Sequence, residues 1–284
     1  MKIANTVFEI RQTENHGLGM FATEYIPYGT RILAESPLVV IPFGHYLKKD
    51  IEEALCDKTA AEHEIFFSLA SAHGQPTELW PSKIFPNIPE REKQRIQELH
   101  DARTGPEKTA MSVFMTNAMT WGDNGQGAAV FPTASRINHS CVPNAHFAWN
   151  QNLDNGKGME TVHAIYDIEK GEEIEVTYCD IFYDPAMRKW ELQHYGFRCA
   201  CPACVGPGSN GVLDPNCFAA RSMMRRYRLR EINDSLEEGK HGPPGHKKPY
   251  RDRRSELNGQ SFLLMQAAGL MIDEGLVTPQ LGEM

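Results

Sequence analysis

The sequence predicts an α+β fold: β-rich stretches frame a helical insertion, and a cysteine-stapled segment leads into a short helical C-terminal region. Three observations point there. Short runs of Val, Ile and aromatic residues, punctuated by Gly and Pro, fall within 1–43 and again within 111–182. Residues 44–110 change to helical periodicity. The run Cys199-Ala200-Cys201-Pro202-Ala203-Cys204 then packs three thiols into one turn-length segment, within 183–206.

Taken in order, Val7-Phe8-Glu9-Ile10 reads as a strand. Ile32-Leu33-Ala34 and Leu38-Val39-Val40-Ile41 follow, after a turn at Pro27-Tyr28-Gly29. Ile65, Phe66, Leu69 and Ala72 recur at helical spacing, as do Met111, Phe114, Met115 and Met119. Glu90 to Arg103 is a charged helix bounded by Pro89 and Gly105. Strands resume at Ala145 to Trp149, Glu160 to Ile165 and Ile174 to Tyr178. Asp184-Pro185 opens a helix with proline at its first position. In 207–284, two helices are expected, about Cys217 to Leu236 and Ser255 to Glu274.

Composition narrows the function classes. A 41% hydrophobic content suffices for a core, and no apolar run is long enough to span a membrane. The net charge of -8 carries no general nucleic-acid footprint, so direct nucleic-acid binding is not expected. One local exception is 240–254, with six Lys/Arg against one Asp; its glycines and prolines suit a solvated loop. Nothing specifies an oligomer, and a monomer is favoured. The opening Met1-Lys2-Ile3-Ala4-Asn5 has no apolar core, so a secretory signal is not expected and a reducing, cytoplasmic and/or nuclear setting is.

That setting decides how the seven cysteines are read. A disulfide framework is disfavoured in a reducing compartment. Structural zinc sites are four-coordinate, favour thiolates and usually include a closely spaced cysteine pair. Cys201 and Cys204 have that spacing and Cys199 adds a third sulfur. The fourth ligand stays open among Cys141, Cys179, Cys217, Cys56 and a histidine. Cys56 lies in a helical stretch and reads as an ordinary buried thiol.

Four separated motifs stand in one order. They are Gly17-Leu18-Gly19-Met20-Phe21-Ala22 with Ile26-Pro27-Tyr28-Gly29; Arg136-Ile137-Asn138-His139-Ser140-Cys141-Val142-Pro143-Asn144; Gly171 to Tyr178; and Tyr195-Gly196-Phe197-Arg198 running into the thiols. Together they resemble the SET-domain protein lysine methyltransferases, in particular the SET- and MYND-domain (SMYD) branch. The likeness covers about residues 5–205 outside the insertion. It implies a β-rich SET domain with a pseudoknot between the segments that hold Asn138 and Tyr178. It implies S-adenosylmethionine as cofactor and one structural zinc ion held by Cys141, Cys199, Cys201 and Cys204. It places His16, Gly17, Leu18, Gly19, Asn117, Ser135, Asn138, His139, Tyr178, Tyr195 and Phe197 around the cofactor. Gly17 and Gly19 would allow close backbone approach, and Phe197 would pack on the adenosine. Tyr178 is the implied catalytic residue, and Phe147, Trp149, Tyr166 and Tyr183 are candidates to line a lysine channel. The partner is a protein or peptide presenting a lysine, histone or otherwise. A catalytically idle SET fold acting as a binding module is the alternative, which the presence of Asn138, His139 and Tyr178 opposes. The chain departs from the SMYD pattern in one respect: residues 44–110 hold a single cysteine, Cys56, so the zinc-binding MYND module is missing there.

Overall fold

The computed structural model describes residues 6–14, 17–80, 87–122, 125–180, 183–205, 218–240, 261 and 263–271. Among them the strands are β1 (Phe8–Gln12), β2 (Leu18–Ala22), β3 (Arg31–Glu35), β4 (Val39–Ile41), β5 (Ala118–Trp121), β6 (Gly127–Val130), β7 (Asn138–His139), β8 (Ala145–Asn150), β9 (Met159–Ala164) and β10 (Glu173–Val176). The helices are α1 (Lys48–Cys56), α2 (Ala60–Ser68), α3 (Glu90–Thr104), α4 (Ala110–Asn117), α5 (Pro185–Gln193) and α6 (Phe218–Lys240). Contacts divide the chain into two units. One comprises Met1–Asn138, Asn144–Glu175 and Gln193–Phe197; the other comprises His139–Pro143, Val176–Leu192 and Arg198–Met284.

In the first unit, β2 lies between β1 and β10, both antiparallel to it. Met20 faces Ile10 on one side and Ile174 on the other, and Phe8, Met20, Ala22 and Ile174 are buried. That alternation keeps one face of β2 apolar. A second sheet runs β3–β9–β8 and a third β4–β6–β5. The helices of 44–110 share one core with the third sheet: Ile51, Leu55, Phe66 and Ala102 pack with Val39, Ile41, Phe114 and Val130. Local chemistry sets the helix ends. Thr59 accepts from Glu62 N while Glu62 reaches back to Thr59 N, a capping box. Pro89 and Gly105 bound α3.

Several sequence expectations change here. Met119 lies in β5, opposite Ala129, not in a helix. Asn117 ends α4 by turning its amide onto the Val113 and Ala70 carbonyls (2.7 and 2.8 Å), and pairing with β6 takes over. Helix α2 stops at Ser68, so Leu69 and Ala72 reach the core from beyond it. Cys56 is exposed, not buried, because Ile51 and Leu55 take the inward face of α1. Strands β2, β5 and β6 carry no separate strand signal in the sequence, being short and rich in Gly and Ala.

In the second unit, Asp184 accepts from Ala186 N and Met187 N (2.9 Å each) and so caps α5. Leu229 and Ile232 of α6 bury themselves against Ala267 and Met271, part of a helical stretch at 263–271. Asp184 also pairs with Arg230 of α6 at 3.3 Å. The basic run 241–254, Cys217 and the expected helix start at Ser255 lie outside the described residues. No helix among the described residues is long and apolar enough to cross a membrane.

Candidate active site and metal centre

The second unit holds the thiols. The Sγ atoms of Cys141, Cys199, Cys201 and Cys204 all lie within 4.8 Å of one another. Cys141 Sγ is 3.9 Å from Cys199 Sγ and 3.5 Å from Cys204 Sγ. Four sulfurs at about 2.3 Å from a tetrahedral zinc would be about 3.8 Å apart, so the donor set and spacing fit such an ion. The backbone supports the cluster: Cys201 N donates to Cys199 Sγ at 3.4 Å, and Cys204 N to Cys201 O at 2.8 Å. Cys179 is a fifth neighbour. It groups with Cys141 and His139, not with the other three thiols, so the four-sulfur set selects Cys141. Hydrogen bonds from Cys141 and Cys199 bring the Cys201 thiol down to about 6, and the same two neighbours lower Cys204. Hydrogen bonding to Cys179 and the other thiols, with burial, pushes Cys141 up. Crowded thiols cannot all ionise against one another unless a cation sits among them.

His139 connects this cluster to Tyr178. The Tyr178 backbone N–H donates to His139 Nδ1 at 2.9 Å. Nδ1 is therefore the acceptor and Nε2 carries the proton, which it donates to Cys141 Sγ at 3.2 Å. Burial lowers the His139 pKa to about 4, which keeps this neutral tautomer. Ser140 N donates to Val176 O at 3.0 Å, which aligns the two segments beside it. Tyr178 lies two residues past the end of β10, half-buried, with its ring 5.3 Å from that of His139. The strand expected to reach Tyr178 therefore ends at Val176.

The first unit holds the glycine strand. Asn138 Nδ2 donates to Leu18 O (3.3 Å) and to Glu173 Oε1 (2.7 Å). A Cβ on Gly19 would lie 2.4 Å from Glu173 Oε1, 2.7 Å from Thr13 Cγ2 and 2.9 Å from Asn138 Nδ2. The close approach that requires glycine at 19 is thus made by the protein's own side chains. Gly17 differs: its φ is +74°, and a Cβ there would meet nothing within 4 Å. Leu18 is exposed. The Asn117 amide is directed at backbone carbonyls, and Ser135 Oγ donates to Asn117 O at 3.4 Å, so these two belong together. Tyr195 and Phe197 hold a tilted ring pair with centroids 6.5 Å apart, across Gly196 at φ +79°. His16 lies outside the described residues. Trp149 packs against Trp121 and Phe131 and donates from Nε1 to Gln151.

Sequence reasoning missed three features. Glu35 accepts from Thr133 N and Ala134 N at 2.8 to 3.0 Å, capping the turn that precedes Asn138. Opposite it across the β3–β9 pair, Glu160 is buried with neither carboxylate oxygen bonded, and burial followed by the Glu35 charge raises it to about 8. Two arginines, Arg188 and Arg226, are buried near the thiols. None has a sequence signal, because single charged residues in a strand or helix look like surface residues.

The SET domain family model matches residues 17–179. The chain belongs to this family. Among its SET relatives, histone-lysine N-methyltransferase set5 of Schizosaccharomyces pombe is 37% identical over 199 residues, 70% of this chain and 50% of that protein. The putative SET domain-containing protein L678 of Acanthamoeba polyphaga mimivirus is 26% identical over 198 residues, 67% of this chain and 74% of that protein. The human N-lysine methyltransferase SMYD2 is 34% identical over 123 residues, 40% of this chain and 27% of its own length. The chain spans about half the length of the set5 relative. The SET match contains the glycine strand, Asn138, His139, Cys141 and Tyr178 but ends before Cys199, so the four-cysteine cluster rests on its own geometry.

Proposed function

We propose that this SET-domain chain is an S-adenosylmethionine-dependent protein lysine N-methyltransferase, with Tyr178 catalytic and one structural zinc held by Cys141, Cys199, Cys201 and Cys204. Its partner is a histone or other protein presenting a lysine, met in the nucleus or cytoplasm. The observation that carries this reading is the His139 link: one neutral imidazole bonds both a thiol of the metal cluster and the backbone N–H of Tyr178. A SET chain kept only as a scaffold would not need its tyrosine held to a metal centre.

The cofactor, when bound, supplies an electrophilic methyl group. Gly17, Leu18, Gly19, Asn138, His139, Tyr195 and Phe197, with His16, Asn117 and Ser135, are the residues that would hold it. The open side of Gly17 and the half-exposed aromatic pair of Tyr195 and Phe197 suit a ligand with an aromatic base. The attacking amine must be neutral. A lysine with a pKa of about 10.4 is neutral in roughly one part per thousand at neutral pH, a deficit of about 4 kcal/mol. Burial of the amine among apolar side chains lowers that deficit, and the Tyr178 hydroxyl orients it. By this reading 1–43 with 111–182 form the SET core, 44–110 an insertion, 183–206 the zinc segment and 207–284 a helical region.

The test is Tyr178→Phe. Label from radioactive cofactor should pass to a lysate protein with the unaltered chain and not with the variant, while calorimetry shows cofactor affinity retained. Loss of binding would make Tyr178 structural, and no labelled band with the unaltered chain would overturn the enzyme reading. Cys141→Ser should lower zinc stoichiometry in elemental analysis.

A further inference from the structure

The turn that carries Ser135 and leads to Asn138 is held at its start from a distant strand. It is a short 3₁₀ turn, Ala134–Arg136. Ser135 N donates to Phe131 O (2.8 Å), Arg136 N to Thr133 O and Ile137 N to Ala134 O (3.0 Å each). The amides of Thr133 and Ala134 lie at its N-terminal end, where backbone donors have no partner within the turn. The Thr133 side chain makes no capping bond. Glu35, which ends β3, supplies both acceptors. Its Oε1 and Oε2 accept from Thr133 N at 2.8 and 3.0 Å, and its Oε2 accepts from Ala134 N at 2.9 Å. Beyond the turn, Ile137 is buried and Asn138 follows. Ser135 Oγ then reaches Asn117 O, and Asn138 Nδ2 reaches Leu18 O in β2.

A second carboxyl group decides the charge of the first. Glu160 stands opposite Glu35 in the β3–β9 pairing, is 1% exposed and has neither oxygen bonded. Two carboxyl groups that share a buried site do not both ionise, and hydrogen-bond donors favour the charged form. The charge therefore falls to Glu35, which has the donors, and the proton to Glu160, which has none. Charge-assisted bonds are roughly twice as strong as neutral ones, so the turn is gripped firmly at its first two amides. We propose that Glu35 is a positioning residue for the cofactor: by holding Thr133 and Ala134 it fixes where Ser135 and Asn138 stand relative to Leu18. This rests on the cofactor reading above and adds to it a residue that lies outside all four sequence motifs.

The experiment measures the affinity of the full chain for S-adenosylmethionine by calorimetry, with circular dichroism to follow the fold and its melting temperature. Glu35→Ala should bind the cofactor about 10-fold more weakly, the worth of one charge-assisted hydrogen bond. Glu35→Gln keeps an oxygen that can accept from both amides and should recover most of that loss. Ile51→Val in α1, a core change with no contact to the turn, is the control for stability alone: it should lower the melting temperature and leave cofactor affinity unchanged. A Glu35→Ala variant that loses melting temperature but binds cofactor like the unaltered protein would make Glu35 a purely structural cap and overturn the proposal. So would a Glu35→Gln variant that loses as much affinity as Glu35→Ala, or an Ile51→Val control that loses as much. An unaltered protein that binds no cofactor would overturn the cofactor reading and this proposal with it. Should Glu35→Ala not fold, Glu35→Asp decides: it keeps the charge but is one methylene short of the amides, so weakened cofactor binding supports the positioning role and unaltered binding overturns it.

Discussion

Asn138 and His139 are consecutive, yet they serve different parts of the molecule. Asn138 bonds the glycine strand through Leu18 O and Glu173. His139 bonds Cys141 and the Tyr178 backbone. Successive side chains of a strand point to opposite faces, so a two-residue strand can serve two neighbourhoods. The neighbourhoods differ in what holds them. The glycine strand is a ladder with a steric requirement at Gly19. The thiol cluster is short irregular chain whose order depends on sulfur, imidazole and two buried arginines. A region built on backbone pairing should tolerate loss of metal; a region built on thiols should not.

The largest effect expected is from chelation. A structural zinc contributes about 10–16 kcal/mol to folding in small zinc-dependent modules. Removing it should abolish amide-exchange protection at 199–205 and around His139, while protection in β1 and β2 persists. Equal loss in both places would erase the contrast.

His139→Ala and Gly19→Ala separate the two regions further. The histidine change leaves the Tyr178 N–H without its acceptor, at a cost of about 1–3 kcal/mol, and should weaken zinc binding in a chelator titration. The glycine change overpacks against Glu173 and Asn138, also at about 1–3 kcal/mol, and should lower the melting temperature with zinc affinity unchanged.

The smallest effect concerns the buried acid pair of the first unit. Glu160 has a folded pKa of about 8 against an ordinary 4.5. The native state therefore keeps a proton that the unfolded chain releases, and the stability this adds at low pH is lost as pH rises through that window. Glu160→Gln should remove that slope. Its melting temperature should match the unaltered protein near pH 4.5 and exceed it by a margin that widens as pH rises toward 8. A gain that does not grow with pH would assign the effect to packing.

Much of the site is legible in the residues alone. The Cys199–Cys204 run marks three of the four clustered thiols, Pro89 and Gly105 bound α3, and Asp184-Pro185 starts α5. Met119 falls in a strand and not in the expected helix, because periodicity cannot register that β6 lies ready to pair with it. Cys56 is exposed against expectation, because Ile51 and Leu55 take the inward face of α1 and the adjacent position 56 turns away from it, which the neighbouring sheet decides.

By itself the sequence determined the residue types able to hold a metal, the family motifs and their order, because these depend on side-chain chemistry and short spacing. Only the tertiary structure decided which cysteine joins the other three, which nitrogen of His139 carries a proton, and that Arg188 lies buried against the Cys204 sulfur and Arg226 against the Cys141 carbonyl. The physical reason is range. Spacing acts over a few bonds, whereas counter-charge, burial and hydrogen-bond direction are properties of atoms that meet only after residues 141, 178, 199 and 226 have been folded together.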